Sequence, residues 1–286
     1  MTLQQALADA VAHLRAGRTG EASAILDRVL AAMPGQPDAL QLAGLAARQR
    51  GDQQAAAELF RRSLAANPAQ PHVHNNLGNA LAALDRHEEA VAAYEAALRL
   101  QPDYPDALLN LALTRLALGD HEAAGAPLER ARRLLPDDPR LHEATGRMHR
   151  AAGRHEAAIA AFRRALELRP GHVATMHNLA VALRLSGNPG EALGLLDRCL
   201  ASAPDIAEIH YNRGHALYDL DRVEEALAAW ERAAAARPDW REAHVTLNRV
   251  LWQHGHTERW LASYDEALAR HPDAAGLHED RAEQLG

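Results

Sequence analysis

Lysine is absent from this sequence of 286 residues, and all 31 basic residues are arginine. Aromatic residues make up only 4% of the chain, so alanine and leucine supply most of the packing. Cys199 is the single cysteine, which excludes an intrachain disulfide framework and a cysteine-based zinc site. The formal net charge of −7 argues against a general nucleic-acid binder, because such a protein presents a dominant basic face.

Long apolar runs are missing as well. No segment approaches the roughly 20 apolar residues that span a bilayer. The first residues, MTLQQALADAVAHL, lack the basic start and the uninterrupted apolar stretch of a signal peptide. We therefore expect a soluble, cytoplasmic protein that binds neither membranes nor nucleic acid.

Proline recurs with an unbroken spacing of 34 residues, at Pro34, Pro68, Pro102, Pro136, Pro170, Pro204, Pro238 and Pro272. A fixed period of this length is typical of stacked repeat proteins, in which each unit packs on its neighbours. With proline at repeat position 32, the eight repeats are 3–36, 37–70, 71–104, 105–138, 139–172, 173–206, 207–240 and 241–274. We expect them to form one domain, 1–286.

Three further repeat positions each keep one kind of residue. Position 8 is small in seven repeats, at Ala10, Gly44, Gly78, Ala112, Gly146, Ala180 and Gly214. Position 20 is alanine in seven, at Ala22, Ala56, Ala90, Ala124, Ala158, Ala192 and Ala226. Position 24 is large, at Leu26, Phe60, Tyr94, Leu128, Phe162, Leu196, Trp230 and Tyr264. Small residues let helices approach closely and large ones fill the remaining space, so each repeat is predicted to be a helix A, a turn and a helix B.

The turn residues agree with this prediction. Position 15 is glycine in six repeats, where a left-handed residue would end helix A. Asp85 and Asp221 replace it in the other two, and aspartate tolerates that conformation better than most residues. Thr2 and Gln5 have the spacing of a capping box at the start of the first helix.

Together these positions resemble the signature of bacterial members of the tetratricopeptide repeat family over residues 3–274. The resemblance implies an all-α fold, a right-handed superhelical solenoid of tandem helix-turn-helix hairpins. It also implies that the A helices line a concave groove.

Two places break the pattern. Pro127 falls inside the predicted helix B of repeat four, where an interior proline costs about 3 kcal/mol and kinks the helix. A local bend and a functional hinge are both open interpretations. In repeat eight, Asn248 replaces the small residue and Trp260 replaces the alanine, so its two helices are expected to pack differently.

The last residues, 275–286, continue the repeat phase. They are predicted to form an unpaired ninth helix or a capping helix. Its apolar residues, Leu277 and Leu285, offer a route to weak self-association.

The resemblance implies that repeat positions 2, 5, 6, 9, 12 and 13 face the groove. Position 6 is asparagine in four repeats, at Asn76, Asn110, Asn178 and Asn212. An asparagine both donates and accepts hydrogen bonds and can hold the backbone of an extended peptide. The arrangement resembles the asparagine ladder in the repeat region of O-GlcNAc transferase. The other groove candidates are Asn75, Asn79, Arg147, Arg150, Arg184, Tyr211, His215, Tyr218 and Trp252.

The candidates differ in chemistry. The arginines suit carboxylates, because the guanidinium fork matches their geometry. The aromatic residues suit apolar side chains. We therefore expect a protein or peptide ligand.

The 17 histidines invite a metal hypothesis, but no two are spaced three or four residues apart, as ligands on one helical face would be. His74, His142, His210 and His244 share repeat position 4, where we expect them to pack. The sequence has no phosphate-binding loop and no nucleophile elbow, and Cys199 is expected to be a buried packing residue. We expect no metal, no cofactor and no enzymatic activity.

The expected function is a non-catalytic scaffold that binds an extended peptide or a helix of a partner in the groove. The alternative is the substrate-recruiting arm of a longer enzyme. Residues 247–272 resemble repeats that precede a 2-oxoglutarate/iron oxygenase domain in bacterial proteins, and the asparagine ladder resembles that of a glycosyltransferase. Both hypotheses depend on peptide capture.

Overall fold

The computed structural model describes residues 1–270, and the regular elements in that range are all α-helices. This confirms the predicted all-α class. The chain forms two compact units, one of residues 1–152 and one that begins at Gly153. No helix within residues 1–270 combines the length and the apolar character needed to cross a membrane.

Helices follow one another along both units without other regular structure between them. Within residues 1–152 they are α1 (Leu3–Arg15), α2 (Thr19–Ala32), α3 (Pro37–Gln49), α4 (Gln53–Ala66), α5 (Pro71–Ala82), α6 (His87–Leu100), α7 (Pro105–Ala117), α8 (Gly125–Leu134) and α9 (Pro139–Ala151). Within residues 153–270 they are α10 (His155–Leu168), α11 (Val173–Leu185), α12 (Pro189–Ser202), α13 (Ala207–Asp219), α14 (Val223–Ala236), α15 (Arg241–Gln253) and α16 (Thr257–Arg270). The odd-numbered helices lie at the positions expected for helix A and the even-numbered ones at those expected for helix B.

The small residue of helix A lies directly against the large residue of helix B. A Cβ atom on Gly78 would lie 2.5 Å from the ring of Tyr94, and one on Gly214 would lie 2.5 Å from the ring of Trp230. Where position 24 is leucine instead of an aromatic residue, position 8 is alanine, as in the pairs Ala10–Leu26, Ala112–Leu128 and Ala180–Leu196. In repeats one to seven, the size of one residue therefore matches the size of the other.

The predicted helix ends are largely confirmed. Asp85 and Asp221 have φ angles of 56° and 59°, the left-handed conformation that ends helix A. At the first helix, the main-chain N–H of Gln5 donates to Oγ1 of Thr2 (3.2 Å). The reciprocal half of the capping box does not form, because the Gln5 side chain donates to Asp9 instead (3.0 Å).

The prediction that Pro127 lies in a helix interior is wrong. Helix α8 begins at Gly125, so Pro127 is its third residue, and the helix has 10 residues against 14 in α6 and α10. Proline cannot donate to a carbonyl four residues back and its ring crowds that carbonyl. In the first turn no such bond is required. The helix therefore starts late, and Pro127 does not interrupt a helix interior.

The histidines at repeat position 4 do more than pack. Each places Nε2 at hydrogen-bond distance from the carbonyl oxygen of the periodic proline six residues earlier. These distances are 3.0 Å for His74 and Pro68, 2.7 Å for His142 and Pro136, 2.7 Å for His210 and Pro204, and 2.9 Å for His244 and Pro238. The bond fixes the loop that joins one repeat to the next.

Repeat eight packs differently from the others, as its residues predict. Trp260 is fully buried, with its ring 5.2 Å from those of Trp252 and Tyr264. Asn248 is also buried, and neither polar atom of its side chain has a hydrogen-bond partner among the described residues. The helix predicted over residues 275–286 lies outside the described residues.

Candidate functional site

In the first unit, the half-buried Asn110 is bonded through its side-chain amide to the neighbouring A helix. Its Nδ2 donates to Oδ1 of Asn75 (3.1 Å) and to Oδ1 of Asn79 (2.9 Å). Asn79 also accepts a hydrogen bond from the hydroxyl of Tyr94 (2.8 Å), and Asn75 is buried. Three predicted groove residues thus form one internal polar network, in which both Asn110 donors are already used.

Two phenols border this network. Burial raises the pKa of Tyr94. Burial, followed by the nearby Asp106 carboxylate, raises the pKa of Tyr104, which hydrogen-bonds Asn75. Both phenols are neutral at physiological pH, so they contribute hydrogen bonds to the network and no charge.

The second unit repeats this arrangement between its own A helices. Nδ2 of Asn212 lies 2.8 Å from Nε2 of His177 and donates to the main-chain oxygen of Glu208 (2.9 Å). The hydroxyls of Tyr211 and Thr246 are 3.0 Å apart. In each case position 5 of one repeat bonds position 6 of the next, 35 residues later. We call the pairs Asn75–Asn110, His177–Asn212 and Tyr211–Thr246 the inter-helix rungs.

The position-6 asparagines therefore divide into two kinds. Asn110 and Asn212 belong to rungs and hold neighbouring A helices together. Asn76 and Asn178 are half-buried, and their side chains make no hydrogen bond with residues 1–270. The sequence pattern does not distinguish the four asparagines, because it does not show which side-chain amides form hydrogen bonds within the protein.

The predicted arginines also differ from one another. Arg147 and Arg150 lie on α9 and are half-buried. Burial, with the Arg147 charge as the second cause, lowers the pKa of Arg150. Arg184 on α11 instead forms an ion pair with Asp219 on α13, with Nη1 and Oδ2 3.1 Å apart. Arg184 is thus already paired within the protein.

Aromatic residues gather in repeats seven and eight. The Tyr211 ring lies 4.6 Å from His215 and 4.6 Å from Trp240. The indole N–H of Trp230 donates to the main-chain oxygen of Tyr211 (3.1 Å). Burial, followed by the charge of Arg184, lowers the pKa of His215 to about 4. His215 is therefore a neutral member of this aromatic cluster at physiological pH.

Tyr218 and Trp252 lie at the edge of the cluster and remain exposed. Both occupy repeat position 12, on α13 and α15, and their exposed fractions are 37% and 45%. The inner side of Tyr218 packs against Trp230 (5.8 Å), and that of Trp252 packs against Trp260 (5.2 Å). The outer sides form what we call the aromatic edge.

A hollow of about 340 Å³ opens beside the cluster, between α13 and α15. It is lined by Tyr211, Arg241, Glu242, Val245, Thr246 and Arg249. Its size lies at the small end of the range for ligand pockets, roughly 300–1,000 Å³. Arg249 is exposed and forms no ion pair with the part of the chain that the structure describes.

Chemistry that depends on metals or thiols finds little support in residues 1–270. Within that range no three His, Cys, Asp or Glu side chains lie close enough together to hold a metal ion. Cys199 is buried, as predicted, with Sγ 3.7 Å from the carbonyl oxygen of Val173. Burial also raises the pKa of its thiol.

Sequence reasoning missed His177, Thr246, Trp240 and Arg249. His177 and Thr246 are members of rungs. A comparison of position 5 in one repeat with position 6 in the next, 35 residues later, would have identified both residues. Trp240 lies just before α15 at repeat position 34, where no pattern marks it. Arg249 has the groove-facing repeat position 9 and could have been included on that ground.

Family profiles match most of the chain's middle portion. Those described as "Tetratricopeptide repeat" match residues 106–138, 140–205 and 177–240, and one described as "TPR repeat" matches residues 78–119. A profile described as "Anaphase-promoting complex, cyclosome, subunit 3" matches residues 15–97. A search of curated protein sequences gave no significant match.

Solved structures share the fold at low sequence identity. A chain of the APC/C hetero-tetramer Cut9–Hcn1 is similar with a TM-score of 0.73 and 20% identity over 87% of this chain, which spans about half (49%) of that chain. A tetratricopeptide repeat protein from Parabacteroides merdae ATCC 43184 has a TM-score of 0.68 and 15% identity, covering 87% of this chain and 98% of that one. YrrB, a TPR protein with an unusual peptide-binding site, has a TM-score of 0.53 and 23% identity, covering 65% and 96%.

The 34-residue period, the helical hairpins and the family profiles all lead to the same assignment. The chain belongs to the tetratricopeptide repeat proteins.

Proposed function

We propose that the chain is a non-catalytic scaffold that captures an extended segment of a partner protein on its A helices, with the second unit as the main binding surface. Tetratricopeptide repeat proteins bind protein partners, which supports the general class. The observation that carries the specific proposal is the aromatic edge formed by Tyr218 and Trp252. A catalytic domain on a longer polypeptide would use the same surface to select its substrate.

The aromatic edge is costly unless something covers it. Exposed apolar surface forgoes about 25 cal/mol of stabilisation for each Å² left in water. In a chain with so few aromatic residues, two at the same repeat position on neighbouring A helices are exposed. Tyrosine and tryptophan are also the residues most enriched among those that dominate binding energy at interfaces. An apolar side chain of a ligand would bury the exposed surfaces of these two rings.

Other polar groups on the A helices of the second unit suit a peptide backbone and its charged side chains. The Asn178 amide has two donors and one acceptor that no described residue uses, so it can bond both the N–H and the C=O of an extended strand. Arg249 offers a guanidinium fork for a carboxylate. The second unit therefore combines apolar, amide and cationic contacts on its A helices.

The rungs favour binding because they order the surface in advance. His177–Asn212 and Tyr211–Thr246 hold α11, α13 and α15 in register. Binding to an ordered surface avoids the entropy cost of ordering it, about 0.5–1.5 kcal/mol for each side chain that is fixed. A ligand therefore meets a groove that is already formed.

Selection from a phage-displayed library of random linear peptides tests the proposal. We expect enriched peptides to bind the full chain, and the double variant Tyr218→Ala/Trp252→Ala to bind them at least about tenfold more weakly, since each such truncation commonly costs more than 1 kcal/mol. The melting temperature of the double variant should fall modestly, because the inner sides of both rings pack against Trp230 and Trp260, so binding is compared at a temperature where both proteins are folded.

The matched control is Leu100→Ala/Leu134→Ala, which removes two exposed apolar side chains from the helix B positions of the first unit. It should leave peptide binding intact. The proposal is wrong if no peptide is enriched, or if the aromatic double variant binds the enriched peptides as well as the unaltered protein does.

A further inference from the structure

The first unit has its own hollow, and the chemistry of that hollow is different. It lies between α1 and α3, with a volume of about 340 Å³. Its walls are the aliphatic side chains of Val11, Leu14, Leu42 and Leu45. Leu14 and Leu42 are buried at its base, whereas Val11 and Leu45 are half-buried and reach the opening. No asparagine lines it, in contrast to repeats three and four.

Two arginines stand at the opening of this hollow. Arg15 ends α1 and Arg48 lies in the last turn of α3. Neither guanidinium forms an ion pair or a hydrogen bond with any residue from 1 to 270, and none of the lining residues is acidic. Gln49 completes the opening, and its Nε2 donates to the main-chain oxygen of Leu14 (3.4 Å).

Elsewhere in the unit, some arginines form ion pairs with the neighbouring repeat. On its helix B surface, Arg61 pairs with Glu89 (3.2 Å) of the next repeat. Arg130 likewise pairs with Asp103 (2.9 Å). The chain contains 38 acidic residues against 31 arginines, so acids are in excess. Two cations beside an apolar hollow without a carboxylate therefore leave an unmatched positive charge at this position.

We propose that this hollow is a second docking site, which binds an extended acidic segment of a partner protein in which one aliphatic side chain lies between carboxylates. The aliphatic side chain enters the hollow between Leu42 and Leu45. The flanking carboxylates pair with Arg15 and Arg48, whose planar forks bind carboxylates in two-point geometry. The site lies wholly in the first unit and does not depend on the aromatic edge.

Charge complementarity selects this occupant over others. A basic segment would place like charges beside both guanidinium groups, and a neutral segment would leave them without partners. A purely acidic segment would leave the apolar walls exposed to water, which forgoes the hydrophobic contribution. Only a segment that has both an aliphatic side chain and carboxylates can cover the apolar walls and pair with the two arginines.

A fluorescein-labelled peptide, Glu-Asp-Leu-Asp-Glu with blocked ends, tests the site by fluorescence polarisation on the full chain. We expect binding that weakens as salt is added, because exposed charge pairs are screened over about 10 Å at 0.1 M ionic strength. The variant Arg15→Gln/Arg48→Gln should bind about three- to tenfold more weakly, as expected for the loss of two exposed pairs. Replacing the peptide leucine by serine should weaken binding further.

Arg99→Gln/Arg133→Gln is the charge-matched control, since both arginines are exposed on the helix B positions of the same unit. It should bind the peptide as the unaltered chain does. Tyr218→Ala/Trp252→Ala should also bind normally, which separates this site from the proposed function of the second unit.

The proposal fails if the unaltered chain does not bind the peptide at low salt, or if the Arg15/Arg48 variant binds it equally well. Self-association of the unaltered chain that this variant abolishes would assign the hollow to a second copy instead. That result would overturn the choice of a foreign partner.

Discussion

In repeats one to seven, repeat position 8 is glycine or alanine according to the size of one facing side chain. Against Phe60, Tyr94 and Trp230 the chain has glycine, and a Cβ there would lie 2.5 Å from the ring. No ordinary contact between carbon atoms is that short, since their optimal separation is about 3.5–4.0 Å. The glycines at these positions are therefore packing residues, although a helix interior normally disfavours glycine.

Gly214→Ala tests this packing requirement. Trp230 cannot withdraw freely from a new methyl group, because its indole N–H is bonded to the Tyr211 carbonyl. We expect a loss of about 1–3 kcal/mol, as is usual for overpacking. Because all four tryptophans lie between residues 230 and 260, urea unfolding followed by tryptophan fluorescence reports on the second unit. A variant as stable as the unaltered protein would contradict the requirement.

Gly194→Ala provides the control for this experiment. Gly194 is an exposed residue of α12, and a Cβ added there would meet nothing within 4 Å. Alanine should therefore stabilise the helix by roughly 0.5–1 kcal/mol. The two substitutions are chemically identical, so opposite signs isolate the effect of the facing ring.

At the scale of one helix, Pro127 determines where α8 begins. Residues 121–124 are turns, although Asp120 is already placed to cap a longer helix, with its Oδ1 accepting from the N–H of Ala123 (3.2 Å). The chain thus retains a start signal that the proline prevents it from using. The loss is about one helical turn relative to the other helix B segments.

Gly125→Ala/Pro127→Ala should restore that turn. Both replacements raise helix propensity, and the first adds only an ordinary contact near Met148 Sδ (3.8 Å). We expect slower hydrogen exchange at residues 123–128 and a gain of about 1 kcal/mol in stability. Pro37→Ala, at the first residue of α3, should add no helix because proline already suits that position. Unchanged exchange in the double variant would mean that other contacts set the start of α8.

Much of the fold could be predicted because its determinants repeat. The period, the small and large positions and the left-handed turns at Asp85 and Asp221 each recur often enough to stand out from local variation. Pro127 was misplaced for the opposite reason. A proline occurs at this repeat position only once. The other repeats place the start of helix B about four residues earlier, and that start would put Pro127 in the helix interior.

The candidate site was less predictable, because it depends on pairs instead of single positions. Asn110 and Asn178 look identical in the repeat pattern. Whether the side-chain amide is hydrogen-bonded within the protein depends on the side chain beside it. For Asn110 that side chain is Asn75. Likewise, the offset of 35 residues in the rungs cannot be seen when repeats are compared one position at a time. The unpaired state of Arg15 and Arg48 is a property of the folded chain alone.

At the scale of the whole molecule, buried apolar residues do not form one core. In the first unit they fall into three clusters within residues 6–46, 47–111 and 108–148. Each helix packs mainly on those one or two places away along the chain. In such arrays stability is close to a sum of repeat and neighbour terms. A local defect should therefore weaken nearby repeats more than distant ones.

Gly78→Ala tests this by placing a methyl group against Tyr94 in the middle cluster. With an overpacking cost of about 1–3 kcal/mol, amides of α5 and α6 should exchange roughly five- to 150-fold faster. The acceleration should decline through α4 and α3 and be smallest in α1 and α2, because sub-global openings need not involve the whole unit. Gly35→Ala, in a loop where an added Cβ meets nothing within 4 Å, should change exchange nowhere. Equal acceleration from α1 to α9 would instead show that the first unit opens as a single cooperative block, since the cost of one methyl group would then be shared by every repeat.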